Sequence, residues 1–175
     1  MNRRTLLCGA AVLAAMSVIA QAAETVRITP ITLDQKVYVT FELQDAYTDA
    51  IRESIASGLR TTFSYDVALR MRAWVDRTIA TTVVSMSDQY DNLTRQHRLT
   101  RTVDGRVEEA TVTDDEAVVR AWLTAWKRLP LCDTSKLDAT RDYYVRISAQ
   151  ARPSSGSLIG WATSITGQTK FTFIP

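Results

Sequence analysis

The stretch FSYDVALRM, Phe63 to Met71, puts an apolar side chain at every second position: Phe63, Tyr65, Val67, Leu69 and Met71. Successive side chains of a strand point to opposite faces, so this spacing predicts a strand with one face in a core. The other parity carries Asp66 and Arg70, followed by Arg72, which belong in water. A helix would instead spread the five apolar residues around its axis at about 100° per position.

The pattern recurs on both sides of this stretch. Upstream, Val37, Val39, Phe41 and Leu43 share one parity, with Thr40 and Glu42 opposite. Downstream, Tyr143, Val145, Ile147, Ala149 and Ala151 alternate with Arg146, Ser148, Gln150 and Arg152. One-sided strands of this kind build antiparallel sheet with one face toward solvent. A first strand changes parity between Val26/Ile28 and Ile31/Leu33, and Pro30 at the change points to a bulge or an edge position. Asp34-Gln35 then turns the chain into the second strand, and Thr78–Tyr90 and Phe171–Ile174 read as further strands.

Two helices interrupt the strands. The sequence TDDE predicts a capping box, with Thr113 as the cap and Glu116 returning the bond. Val118, Val119, Trp122, Ala125, Trp126 and Leu129 form the apolar stripe of the helix that follows, Lys127 and Arg128 suit its negative end, and Pro130 stops it. An earlier helix is expected over Thr48–Leu59, with Ile51, Ile55 and Leu59 on one face and Gly58 near its end. The fold class expected is α+β, a mainly antiparallel, curved sheet with two helices packed on one face; the runner-up is a β-sandwich with helical insertions.

The only histidine, His97, lies in YDNLTRQHRLTRTVDGRV, Tyr90 to Val107, among Arg95, Arg98, Arg101 and Arg106. Neither parity of Thr94–Val103 is convincingly apolar, and Asp104-Gly105 is a strong hairpin turn. The expectation is a polar two-stranded ribbon, a solvated sheet edge first and a partner-binding surface second. His97 with Asp88 or Asp91 nearby has the makings of a general base, but no nucleophile motif accompanies it. Zinc sites draw on several His and Cys ligands, and beyond the leader there is one of each. Trp122 and Trp126 are read as helix packing first and as the lining of a ligand pocket second, and capping accounts for Asp114, Asp115 and Glu116. No Gly-rich phosphate loop or dinucleotide fingerprint occurs. No catalytic residue, metal ligand or cofactor is therefore expected.

The N-terminus, MNRRTLLCGAAVLAAMSVIAQAA, has the layout of a secretory signal: Arg3 and Arg4, an apolar run from Leu6 to Ala20, then a small-x-small site at Ala20–Ala22. Residues 1–22 are read as a cleaved signal peptide and 23–175 as one periplasmic domain with no membrane span. The pair Arg3-Arg4 also fits a loose twin-arginine pattern, with the general secretion route preferred. Arg3 and Arg4 account for the whole basic excess of 21 Lys+Arg over 19 Asp+Glu. The remaining chain has no overall field to attract nucleic acid. Cys132 is then a lone thiol, buried and inert or open to another molecule.

The run YDNLTRQHRL, Tyr90 to Leu99, is similar to the central motif of the domain of unknown function 4390 family, exported proteins mostly of proteobacteria. The order of elements resembles that family over nearly the whole chain: an opening hairpin, a helix before a long strand, the motif, a tryptophan-bearing helix, YYVRISA and an aromatic C-terminal strand. The resemblance implies that Tyr is accepted at the position of His97, so imidazole chemistry is not required there. It brings no activity. It also implies, from frequent proximity to genes for membrane sensor histidine kinases, a periplasmic partner in envelope signalling. The function expected is a non-catalytic binding or accessory module acting through a periplasmic or membrane protein; the alternatives are a carrier of a small apolar ligand between sheet and tryptophan helix, and an enzyme of unfamiliar type.

Overall fold

A computed structural model describes residues 26–153 and 164–174. The expected leader and most of the Arg152–Gly160 connection lie outside these residues. Strands β1 (Val26–Leu33) and β2 (Lys36–Leu43) form the opening hairpin, followed by helix α1 (Asp49–Ala56) and strands β3 (Thr61–Met71), β4 (Arg77–Asp91), β5 (Gln96–Val103) and β6 (Arg106–Thr113). Helix α2 (Glu116–Thr124) leads directly into β7 (Ala125–Asp133), and β8 (Tyr143–Pro153) and β9 (Ile165–Phe171) complete the chain. The fold is mainly antiparallel β with two helices, as the alternation requires. Its strands divide between two sheets, β1-β2-β7 and β6-β5-β4-β3-β8-β9.

Phe63, Tyr65, Val67 and Leu69 on β3 are buried, as are Val37, Val39, Phe41 and Leu43 on β2 and Val145, Ile147 and Ala149 on β8. These faces belong to one core, and the rings of Phe41 and Tyr65 meet at 4.9 Å. Tyr65 reaches the core with a polar tip and satisfies it by donating from its hydroxyl to the carbonyl of Leu123, 2.7 Å away on α2. Each such hydrogen bond is worth about 1 kcal/mol net, but leaving the hydroxyl unpaired would cost more.

The main correction concerns α2. The expected stripe to Leu129 breaks at Thr124, and Ala125–Asp133 is a strand paired with β2. Leu129 is buried from the strand, which is why a helical period also fitted it. Pro130 is tolerated because β7 ends the order of the small sheet. Arg128 takes φ 55 where the register with β2 slips. The helix also starts later than expected. Thr113 is still paired with His97 as the last residue of β6, so Asp115 is the cap and accepts from the Ala117 N–H at 2.7 Å. Glu116 bonds the Arg52 guanidinium of α1 at 2.7 Å and closes no capping box.

Smaller differences have similar causes. β1 pairs with β2 without a register shift, so Pro30 marks an edge strand and no bulge. Both turns read from the sequence form with positive φ: Asp34 and Gln35 at 48° and 60°, Asp104 and Gly105 at 48° and 80°. Thr48 caps α1, which ends before Leu59. The last strand lies earlier than expected, at Ile165–Phe171, with a glycine in its middle. A Cβ at Gly167 would stand 2.8 Å from Val26 Cβ and 3.2 Å from the Val26 carbonyl oxygen. Gly167→Ala is therefore expected to push β1 away from β9 and cost about 1–3 kcal/mol; urea denaturation of the variant checks this, and an unchanged midpoint would refute the close packing.

Candidate functional site

β4 sends Thr82, Val84, Met86 and Asp88 to its buried face. The last of these is a carboxylate with no exposed surface. Tyr90 on the same strand pairs with His97 on β5, so the imidazole comes within reach of Asp88, and His97 Nδ1 lies 2.7 Å from Asp88 Oδ2. The Tyr90 ring stands against the imidazole at 4.7 Å. His97 is 12% exposed and the second oxygen of Asp88 is buried without a side-chain partner among the described residues. Burial raises the Asp88 pKa, and the hydrogen bond and charge of His97, with a backbone hydrogen bond from Gln89, only partly oppose that.

His97 was expected on a solvated ribbon, yet it is tied to a buried acid. The inward parity of β5 is His97, Leu99, Arg101 and Val103, with Leu99 fully buried. Sequence alone could not show this inward face because two of its four members are cationic or titratable. An imidazole held at Nδ1 by a carboxylate has the orientation of the base half of a catalytic dyad. Among the described residues no cluster of three or more His, Cys, Asp or Glu could hold a metal ion.

Arg101 unites two groups that the sequence kept apart. Its guanidinium lies 4.0 Å from the Trp122 ring and 5.1 Å from the Trp126 ring. It donates to the carbonyls of Trp122 at 3.1 Å and Ala125 at 2.9 Å, at the junction where α2 becomes β7. The Trp122 carbonyl is one that the helix end leaves without a partner in the helix, at the negative pole of its dipole. Burial pushes the guanidinium below its ordinary pKa, and Glu109, 3.5 Å away, opposes this. The space beside the tryptophans, read second as a pocket for a small apolar ligand, holds the Arg101 guanidinium.

The other arginines of the ribbon face water. Arg95 takes φ 56 in the turn before β5, Arg98 pairs with Asp91 at 3.1 Å, and Arg106 is exposed beside the β5–β6 turn. Thus Arg95, Arg98 and Arg106 remain surface candidates, whereas His97 and Arg101 are committed inward. Cys132 is half-buried, and burial raises its thiol pKa.

Sequence reading missed Tyr47, in the loop before α1. The guanidinium groups of Arg52 and Arg120 lie 5.9 Å and 5.4 Å from its ring. Burial, and then the charges of Glu116 and Asp88, push its phenol up to about 12. Tyr47, Arg120 and Glu42 line a cavity of about 300 Å³. Only the assembled structure brings these three residues together. A second missed feature is the pair Trp74-Val75, fully or largely exposed in the β3–β4 turn; two apolar residues between Arg72 and Arg77, off the alternation of either strand, were the available signal.

The model of the family described as "Domain of unknown function (DUF4390)" matches residues 20–155, and the chain belongs to that family. No curated protein and no solved structure matches it.

Proposed function

From membership of a family whose description assigns no activity, we propose that this chain is a non-catalytic, exported accessory module that binds an extended segment of a periplasmic or membrane protein along β6. The observation that carries the reading is the position of β6 at the end of the six-strand order, with hydrogen-bonded neighbours on one side only among the described residues. Seven of its eight residues are exposed and the eighth, Thr113, is half-buried. An open edge of this length offers a row of unpaired N–H and C=O groups to a further strand. Val107 and Val112 are exposed on it together with Arg106, Glu108 and Glu109, and Arg98 lies beside it on β5. Main-chain bonds would supply affinity, and these side chains would select the partner.

In this reading His97 and Asp88 serve the fold, the imidazole providing the donor that a buried carboxylate requires. The leader-like N-terminus supports export, and the family resemblance supports a sensor histidine kinase as the class of partner. A photo-crosslinking residue placed at Val107 or Val112 in the full chain, expressed in its own cell, tests the proposal. The expected result is capture of one envelope protein in excess over the same probe at Thr32 on β1. Equal yields at the three positions, or no adduct at any of them, would refute strand addition at β6.

A further inference from the structure

The β3–β4 hairpin ends in a feature that folding does not use. Trp74 is fully exposed and Val75 largely so, side by side at the tip. Single exposed apolar residues are ordinary on protein surfaces. This pair differs because its backbone is held from both sides. Asp76 accepts from the Tyr144 hydroxyl at 2.7 Å and from the Ala73 N–H at 3.4 Å, while the Arg72 N–H donates to the Asp142 carbonyl at 2.8 Å. The tip is therefore shaped before any partner arrives, which removes most of the ordering cost of binding.

Positive charge surrounds it. Arg70 and Arg72 lie 5.9 Å from the Tyr144 ring at the foot of the turn, and Arg77 opens β4 immediately after it. Arg77, Lys136 and Arg141 line an adjoining cavity of about 380 Å³ whose walls include Met71 and Ile79. Three acids share this end, Asp76 bonded to Tyr144, Asp138 to Thr140 and 3.9 Å from Arg141, and Asp142 paired with Lys170 at 3.2 Å. The cations Arg70, Arg72, Arg77, Lys136, Arg141 and Lys170 outnumber them. An aromatic wedge with a collar of cations beside a basic pocket matches a surface that is oily beneath and anionic on top.

The geometry points to the β3–β4 hairpin tip as a docking site for an anionic phospholipid surface, with Trp74 and Val75 entering the interface and Arg72, Arg77 and Arg141 meeting phosphate. No helix among the described residues is long and apolar enough to cross a membrane, and the contact described here is peripheral. It lies on the hairpin between β3 and β4, apart from the β6 edge, so either can fail without the other.

Vesicle flotation tests it, with protein expressed from the complete coding sequence and purified as the cell leaves it. Vesicles are phosphatidylcholine alone or with about one third phosphatidylglycerol, enough to charge the surface. Wild-type protein is expected to favour the anionic vesicles by about tenfold or more, and added salt should reduce that preference. Trp74→Ser with Val75→Ser should weaken binding about tenfold or more while leaving urea denaturation unchanged, because neither side chain is buried. Arg72→Gln with Arg77→Gln should remove the preference for anionic lipid. Equal binding of wild type to both vesicles, or equal binding of the Trp74/Val75 variant and wild type, would overturn the proposal. So would a photo-crosslinker at Val75 that captures a protein and no lipid in cells.

Discussion

Arg101→Ala is expected to destabilise the chain by about 3–5 kcal/mol, a loss at the upper end for single substitutions. Two charge-assisted hydrogen bonds to the carbonyls of Trp122 and Ala125 disappear. The carbonyls are part-buried, and leaving them unpaired carries a desolvation cost of up to about 1–3 kcal/mol each. The guanidinium also leaves the faces of Trp122 and Trp126, worth about 0.5–2 kcal/mol together with their desolvation, and a gap opens between helix and sheet. Arg101→Lys keeps the charge but lacks the planar fork that reaches both carbonyls, so about half the loss is expected. Glu109→Ala removes only a half-exposed partner at 3.5 Å and should cost less than about 1 kcal/mol. Urea denaturation of the three variants separates these contributions. A loss below about 1 kcal/mol for Arg101→Ala would mean the helix-to-strand junction is held by something else.

That junction also shows where sequence reading stopped. The strands came from alternation, and β2, β3 and β8 bury the parities their residues define. Alternation states which side chains share a face but not which strand lies alongside. The separation of β1-β2-β7 from the larger sheet was consequently not legible, nor was β7. Trp122 and Leu129 are seven residues apart, which is two helical turns, so a stripe continued through Trp126 fitted as well as a strand did. Where the helix ends and pairing with β2 begins, Arg101, more than 20 residues earlier in the chain, takes the carbonyls of Trp122 and Ala125. A local pattern contains no trace of such a partner. Of the two acids that the sequence placed near His97, Asp88 is the one it meets: its inward position follows the parity of Val84 and Met86, and a carboxylate there is acceptable because His97 arrives from the next strand.

The pair Asp88–His97 gives the second large effect, and its dependence on pH identifies it. The Asp88 pKa is raised in the folded chain, mainly by burial. Folding therefore favours its protonated form. The stability this contributes is fully present below the unfolded value, near about 3.9, and is lost as pH rises through the folded value. Asp88→Asn, whose amide oxygen can still accept from His97, should abolish that slope and be at least as stable as wild type at neutral pH. His97→Ala should act oppositely. It leaves an ionised, buried carboxylate without its side-chain donor, at a cost of about 3–5 kcal/mol near neutrality that shrinks as acid protonates Asp88. Denaturation midpoints for wild type and both variants across mildly acidic to neutral pH decide the matter. A penalty for His97→Ala that does not change with pH would show that the lost contact is packing against Tyr90 and not the bond to Asp88. His97→Tyr supplies a hydroxyl donor from a ring that sits near the surface, so it should be more stable than His97→Ala and still complement deletion of the gene. A folded His97→Tyr chain that fails to complement would assign the imidazole a chemical role beyond holding Asp88, because the donor would be present and the function gone.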